Sequence, residues 1–338
     1  MTSHTIVELL GDGISGELSA AVHAVAAALP CRLQFLPVDL SQAAREQFGE
    51  SLYDRAEALM RQHPASLKYP TATTGESPNK VLRERLEFAV IHRPVVTIPT
   101  IPTNFTKSID IDIVRIGTGG TYEDSGRRVG HDVAVSLRVI ERVPSMHAAR
   151  FAFELARQRK GSVVSASKYT IQRETDGLFE ECCAKVAADF PDVKHRKELF
   201  DSMLAGIIMN PDRYQVIVTP NEYGDFLSDM CCGLIGSIAL GDSASYSFDL
   251  HSGQVVAAMF DPAGGTAPDI AGTDRANPFA AILALSNLLR FINEPEAARR
   301  LRAALLGCLA AGEKTRDVGG SLGTVDFTRA VIRRMGTH

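Results

Sequence analysis

An α/β fold with a mostly parallel sheet is predicted by three features of this sequence. Short apolar, strand-like runs alternate with helical stretches along nearly the whole chain. The first such pair is joined by a glycine-rich turn, "LLGDGISGEL", which reads as a βα unit. No internal repeat, low-complexity tract or long linker interrupts the pattern. With 338 residues, the chain is long for one hydrophobic core, so one large or two smaller lobes are expected.

In chain order, "TIVELL" is a strand and the apolar-rich stretch after its turn a helix; "RLQFLPVDL" is a second strand. Residues 41–62 carry helical periodicity, with Leu52, Ala56, Leu59 and Met60 on one face. "SPNKVLRERLEFAVIH" reads as a helix with Ser77 as N-cap and Pro78 at its first position. "DIDIVRIGTG" is a strand ending in glycines, and residues 127–142 alternate like a strand pair. A helix capped by Ser145 and stopped at Gly161 follows. "SVVSAS" and "YQVIVTP" are strands around the helix "DGLFEECCAKVAADF". A helix is expected from Phe226, then two more in "NPFAAILALSNLLRFI" and "EPEAARRLRAALLGCLA".

The totals exclude some classes. The 45% hydrophobic and 22% charged fractions are those of an ordinary globular chain. A net charge of −4 gives no basic surface for phosphate backbones, so nucleic acid is set aside as a main partner. No run approaches the ~18 apolar residues of a membrane span. None of the six cysteines sits in a C-x-x-C pattern, so they read as buried thiols. With no signal peptide evident, a reducing cytoplasm is the expected location.

Chemistry enters at "TPNEYGDFLSDM", where Asp225 and Asp229 stand four apart. On a helix both carboxylates project from one face, and their repulsion calls for a cation or base between them. The plain alternative is a helix start decorated with acids that favour the macrodipole. A further acid, Asp201, lies on a probable helix in "KELFDSMLAGII". Three carboxylates suit Mg²⁺ or Mn²⁺, which prefer oxygen ligands.

"NPDRYQVIVTPNEYGDFLSDM" followed by "FDPAGGTAPDIAGTDRANPFAAIL" resembles the isocitrate and isopropylmalate dehydrogenases, metal-dependent β-decarboxylating enzymes. "LLGDGISGEL", "LKYPTATTGESPNKVLRERL", "HRPV", "DIVR" and "SKYTIQRETDGLF" fall in the family's order, so the resemblance spans nearly the whole chain. It implies the isopropylmalate dehydrogenase-like two-lobed fold, which lacks the GxGxxG Rossmann motif; none follows the first strand here. Residues 1–97 with 255–338 would form a large nucleotide-binding lobe. Residues 98–254 would form a small lobe with the dimer-forming strands and the metal site. A homodimer with shared active sites is implied.

Residue by residue, the resemblance makes Asp225 and Asp229 metal ligands of one subunit and Asp201 the third, offered by the partner. The metal would favour loss of the substrate's hydroxyl proton and stabilise the enolate formed on decarboxylation. Lys168 matches the lysine that deprotonates the hydroxyl and Tyr122 the tyrosine that protonates the enol carbon. Taken alone, each is more simply a surface lysine and a packed loop aromatic. Arg83, Arg93 and Arg115 match substrate-carboxylate arginines, whose guanidinium forks suit bidentate pairing. Ser77 and Asn79, with Arg83, form S-x-N-x-x-x-R, which resembles the isocitrate branch and implies a polar, anionic distal group. Gly265, Thr266, Ala267, Asp269 and Ile270 match the nucleotide loop. The acid at Asp269 favours NAD, because it would repel a 2′-phosphate. Asn277 fits the adenine contact; Thr73 and Asn221 fit the nicotinamide end.

The chain also departs from the family. Ile116-Gly117-Thr118-Gly119-Gly120 replaces the usual Glu-Asn-x-Glu, Gly264 a histidine, Thr170 an asparagine, and Ser15-Gly16-Glu17 the usual GPE turn. These departures point to a specialised paralogue. The expected activity is NAD- and metal-dependent oxidative decarboxylation of a (2R)-malate with an anionic 3-substituent: isocitrate, homoisocitrate or a phosphonate analogue. A non-catalytic regulatory subunit of a hetero-oligomer is the alternative, and oxidation without decarboxylation a third reading.

Overall fold

The computed structural model describes residues 2–73, 75–237, 240–250 and 252–336. The elements run β1 (Ser3–Leu10), α1 (Ser15–Ala26), β2 (Arg32–Asp39), α2 (Gln42–Phe48), α3 (Glu50–Gln62), β3 (Ala65–Lys68), α4 (Pro78–Arg85), β4 (Phe88–Val96) and β5 (Asp110–Ile116). They continue with β6 (Arg127–Val129), β7 (Val133–Val135), α5 (Arg142–Arg159), β8 (Val163–Ser167), α6 (Thr175–Ala187), β9 (His195–Leu199), α7 (Phe200–Met209), β10 (Val216–Thr219) and α8 (Asn221–Leu234). Last come β11 (Asp242–Phe248), β12 (Val255–Pro262), α9 (Phe279–Phe291), α10 (Pro295–Ala310) and α11 (Thr324–Gly336). No helix among the described residues is long and apolar enough to cross a membrane.

Ten strands form one sheet in the order β2-β1-β3-β12-β11-β4-β5-β10-β8-β9. The two wings are parallel, and the centre, β12-β11-β4-β5, is antiparallel. The sheet is therefore mostly parallel, with helices on both faces. Successive strand residues alternate between the two faces: Val114 and Val218 pack in one cluster with α5, α9 and α10, whereas Ile113 and Ile217 pack in another with α7 and α8. That alternation is the period of two that a strand imposes. Strands β8 and β10 are buried along their whole length; β10 reads as a mostly apolar run, and β8 buries Ser165 and Ser167 as well.

Several local expectations are corrected. The helical stretch 41–62 is two helices, broken at Gly49 with φ +53°. The helix after Ser77 stops at Arg85; Glu87 turns the chain with φ +52°, and "FAVIH" is the start of β4. Its aromatic and β-branched residues suit a buried strand better than a helix end. Ser77 sits at the N-cap position but makes no capping bond. Ser145 is inside α5, its hydroxyl donating back to the Glu141 carbonyl at 2.6 Å. Finally, α8 begins at Asn221 rather than Phe226, so Asp225 lies within the helix.

Candidate active site

The central antiparallel strands and α8 build the site. Arg93 lies on β4 and Arg115 on the adjacent β5, while α8 packs across β5. Gly224 permits this approach: a Cβ there would lie 2.5 Å from Arg115 Cβ. Helix α8 then presents Asn221, Asp225, Ser228 and Asp229 toward the two arginines. Arg115 pairs with Asp225 and donates its Nε to Asn221 Oδ1 at 2.8 Å. Arg93 Nη1 lies 3.4 Å from Asp225 Oδ1, 3.3 Å from Asp229 Oδ1 and 2.5 Å from Ser228 Oγ. Tyr122 donates its hydroxyl to Asp225 Oδ2 at 3.1 Å.

Of these groups, Arg115, Tyr122, Asn221 and Asp225 line a cavity of about 260 Å³, together with Ser77, Lys80, Arg83, Thr118 and Glu123. Arg83 has no hydrogen bond or ion pair to any described residue, and its Nε is buried without an acceptor. Asn79 Oδ1, Arg93 Nε and Thr118 Oγ1 are likewise buried and unpartnered. Buried polar groups are normally satisfied, so the unpartnered donors of Arg83 and Thr118 on the cavity wall suit a polar ligand with acceptor oxygens. Electrostatics agree. Burial, with Arg83 and Arg93 alongside, pushes the Arg115 pKa down to about 9. Burial lowers Arg83 too, and Arg93 adds to it against the opposing pull of Asp261 and Asp225. Burial resists ionisation of Asp225, but Arg115, Arg93 and Arg83 and the Tyr122 hydrogen bond outweigh it, and its carboxyl stays below the ordinary range. Burial and Asp225 raise the Tyr122 phenol, which therefore keeps its proton at neutral pH.

Lys168 and Asp201 lie elsewhere. Lys168 Nζ donates to Asp201 Oδ1 at 2.6 Å, on the ends of β8 and α7, and neither lines the cavity. No group of three His, Cys, Asp or Glu side chains among the described residues converges as a metal site. Asp225 and Asp229, one turn apart on α8, share the Arg93 guanidinium. Two carboxylates on one helix face are oxygen donors of the kind a hard divalent cation takes.

A second group of predicted residues forms the loop after β12. Thr266 O accepts the Ile14 N–H at 2.9 Å, which docks this loop on the turn after β1. Gly264 and Gly265 face open space, so their backbone is free to approach a dinucleotide. Ala267 adopts φ +38°, Asp269 is exposed, and Ile270 packs on the core. The Asn277 side chain is already committed: it donates to Asp317 Oδ2 at 2.9 Å and accepts from Phe279 N at 3.0 Å. Asn221 lines the arginine cavity, its amide spent on Arg115 and on the Gly119 carbonyl at 2.9 Å. Thr73 is exposed in the loop before α4.

Sequence reasoning missed three groups. Lys68, buried at the end of β3, donates to Tyr69 O and Thr71 Oγ1 at 2.9 and 3.1 Å; burial pushes its pKa down to about 8. A lysine inside "ASLKYP" was the available signal. Thr118 was hidden in a loop noticed only for its glycines. Glu222 explains one of those glycines: a Cβ on Gly120, at φ +74°, would collide with its carboxylate.

Comparison with known proteins agrees with this architecture. The isocitrate/isopropylmalate dehydrogenase family model matches residues 5–331. A probable NAD isocitrate dehydrogenase subunit alpha, mitochondrial, of Caenorhabditis elegans is 34% identical over 96% of this chain and 90% of its own length. A 3-isopropylmalate dehydrogenase of Archaeoglobus fulgidus is 33% identical over 96% and 98%. The crystal structure of isocitrate dehydrogenase from Methylococcus capsulatus superposes with a TM-score of 0.88 at 31% identity, covering 98% of this chain and 99% of that one. From matched sequence and shared fold alike, the chain belongs to the isocitrate/isopropylmalate dehydrogenase family.

Proposed function

We propose that this protein catalyses NAD- and divalent-metal-dependent oxidative decarboxylation of a (2R)-hydroxy acid of the 3-substituted malate type with an anionic distal group. Isocitrate is the reference substrate, and homoisocitrate or 3-phosphonomethylmalate fit the same description. The observation that carries this reading is the cavity lined by Arg83 and Arg115 beside Asp225 and Tyr122, with Arg93 paired to the same Asp225 and unsatisfied donors on Arg83, Arg93 and Thr118. The arginines hold the substrate carboxylates, and Ser77 and Asn79 meet the distal group. Asp225 and Asp229, with Asp201 of a second chain, would hold Mg²⁺ or Mn²⁺, which when bound would supply charge stabilisation at the reacting oxygens. Lys168 of a second chain would take the hydroxyl proton and Tyr122 would give its proton to the carbon left by decarboxylation; NAD⁺, when bound, would supply the hydride acceptor.

A homodimer is part of this proposal. The β6–β7 hairpin exposes Val129 and Val133, and α7 and α8 expose Met209 and Phe226 at 59% each. Such apolar surface is what a second copy would cover. Six free, buried cysteines suit a reducing compartment, in line with a cytoplasmic location.

The test is NADH formation with Mn²⁺ across isocitrate, homoisocitrate, isopropylmalate, D-malate, tartrate and 3-phosphonomethylmalate, repeated with NADP. Turnover is expected with a substrate bearing an anionic 3-substituent, with NAD preferred and isopropylmalate inert. Silence across the panel with metal bound would overturn the reading in favour of a regulatory subunit.

A further inference from the structure

We propose that Arg138 is a positioning residue that ties the loop carrying Tyr122 to the backbone under Lys168 through one guanidinium. The proposal rests on the catalytic roles given above to Tyr122 and Lys168. Arg138 lies between β7 and α5, and its side chain is 11% exposed. Its Nε donates to Glu222 Oε1 at 2.6 Å, and its Nη1 pairs with Asp176, whose side chain is fully buried. The two acids lead in different directions. Glu222 Oε2 accepts the Thr121 N–H at 3.3 Å, directly before Tyr122. Asp176 Oδ2 accepts the Lys168 N–H at 2.6 Å.

Two further contacts centre on the same residue. Val139, its neighbour, exchanges both backbone hydrogen bonds with Gly120, at 2.7 and 3.1 Å. The guanidinium also covers the Tyr223 ring at 5.0 Å, and Tyr223 stacks on Phe200 at 4.5 Å, the residue before Asp201. Arg138 therefore braces the Tyr122 loop, Lys168 and the helix start bearing Asp201, yet touches none of their reactive atoms. The planar fork satisfies two buried carboxylates at once; a lysine, with one nitrogen, would hold them less well. Each acid left unpaired would be a buried, uncompensated charge, so the arrangement is committed to Arg138.

The experiment is amide hydrogen exchange at Thr121 and Lys168 in Arg138→Gln, together with its kcat and KM. Both amides are expected to exchange at least about tenfold faster, because each loses its braced acceptor. With the carboxylate-binding arginines untouched, kcat should fall about 10- to 100-fold at nearly constant KM. Arg138→Lys should recover part of both effects. Unchanged exchange at either amide, or a rise in KM at constant kcat, would overturn the bridge. If the glutamine variant does not fold, Arg138→Lys carries the exchange test: intermediate acceleration at both amides is expected, and wild-type exchange at either refutes the proposal. The exchange readout needs no turnover, so it fails or succeeds separately from the proposed activity.

Discussion

Lys168 and Asp201 are joined at 2.6 Å, and neither lines the cavity built around Asp225. An ammonium and carboxylate paired this close to solvent can separate readily for better partners. If the third metal carboxylate and the general base come from a second chain, two defective chains should repair one another. Asp201→Asn spoils the site its chain lends to, and Asp225→Asn spoils the site its chain owns. A mixed dimer of the two keeps one intact site. Equal mixing after unfolding and refolding should restore about a quarter of wild-type NADH formation, since about half of the dimers are mixed and each has one working site. No recovery from two inactive variants, with mixed dimers present by native mass spectrometry, would place both residues in one chain's site.

Arg83 predicts a trade between binding and stability. Its Nε is buried, with Arg93 and Arg115 near, and the guanidinium bonds to nothing among the described residues. Without substrate it costs stability; with a carboxylate bound it supplies a charge-assisted hydrogen bond of about 1.5–3 kcal/mol. Arg83→Met should therefore raise KM by about 10- to 150-fold for the preferred acid, the equivalent of that energy. The substrate-free variant should melt at or above the wild-type temperature in differential scanning calorimetry. A lower melting temperature with unchanged KM would make Arg83 a structural cation.

How much of this was legible in the sequence depends on how local the signal is. Asp225, Asp229, Arg93 and Arg115 stood in contiguous motifs, and the structure places their side chains together. Elements such as β1, α1, β2 and β5 were readable because each carries its own periodicity, whereas β3 is only four residues long and β4 follows almost directly on the helix before it. The antiparallel centre was not: β11, "DSASYSF", alternates small polar residues that pack inside the sheet, and its partners β4 and β12 are set by long-range pairing. Glu222 was invisible for the same reason. Its role exists only because Arg138, 84 residues earlier, and Gly120 meet it in space. Ser145 misled because serine at an apparent helix start is a capping signal, yet inside α5 its hydroxyl bonds back to the helix.

Asp242 makes a prediction about pH. It opens β11, is 2% exposed, and accepts a hydrogen bond from Asn287. Burial raises its pKa from 3.8 to about 6, against the pull of Arg302 and His92. The raised value means that the folded chain holds this proton after the unfolded chain has released it. Between about pH 4 and pH 6 the unfolded state thus binds fewer protons, and stability falls as pH rises. Above about pH 6 both states are ionised and this group adds no further slope. The shift of roughly two units corresponds to about 3 kcal/mol, lost in full at neutral pH. Asp242→Asn keeps an acceptor for Asn287 and removes the ionisation. At pH 7 the variant should be about 1–3 kcal/mol more stable than wild type, and the two should converge near pH 4. Urea unfolding of both proteins across that range measures it. Parallel curves with the asparagine variant less stable throughout would show instead that Asp242 is ionised in the fold and held by Arg302.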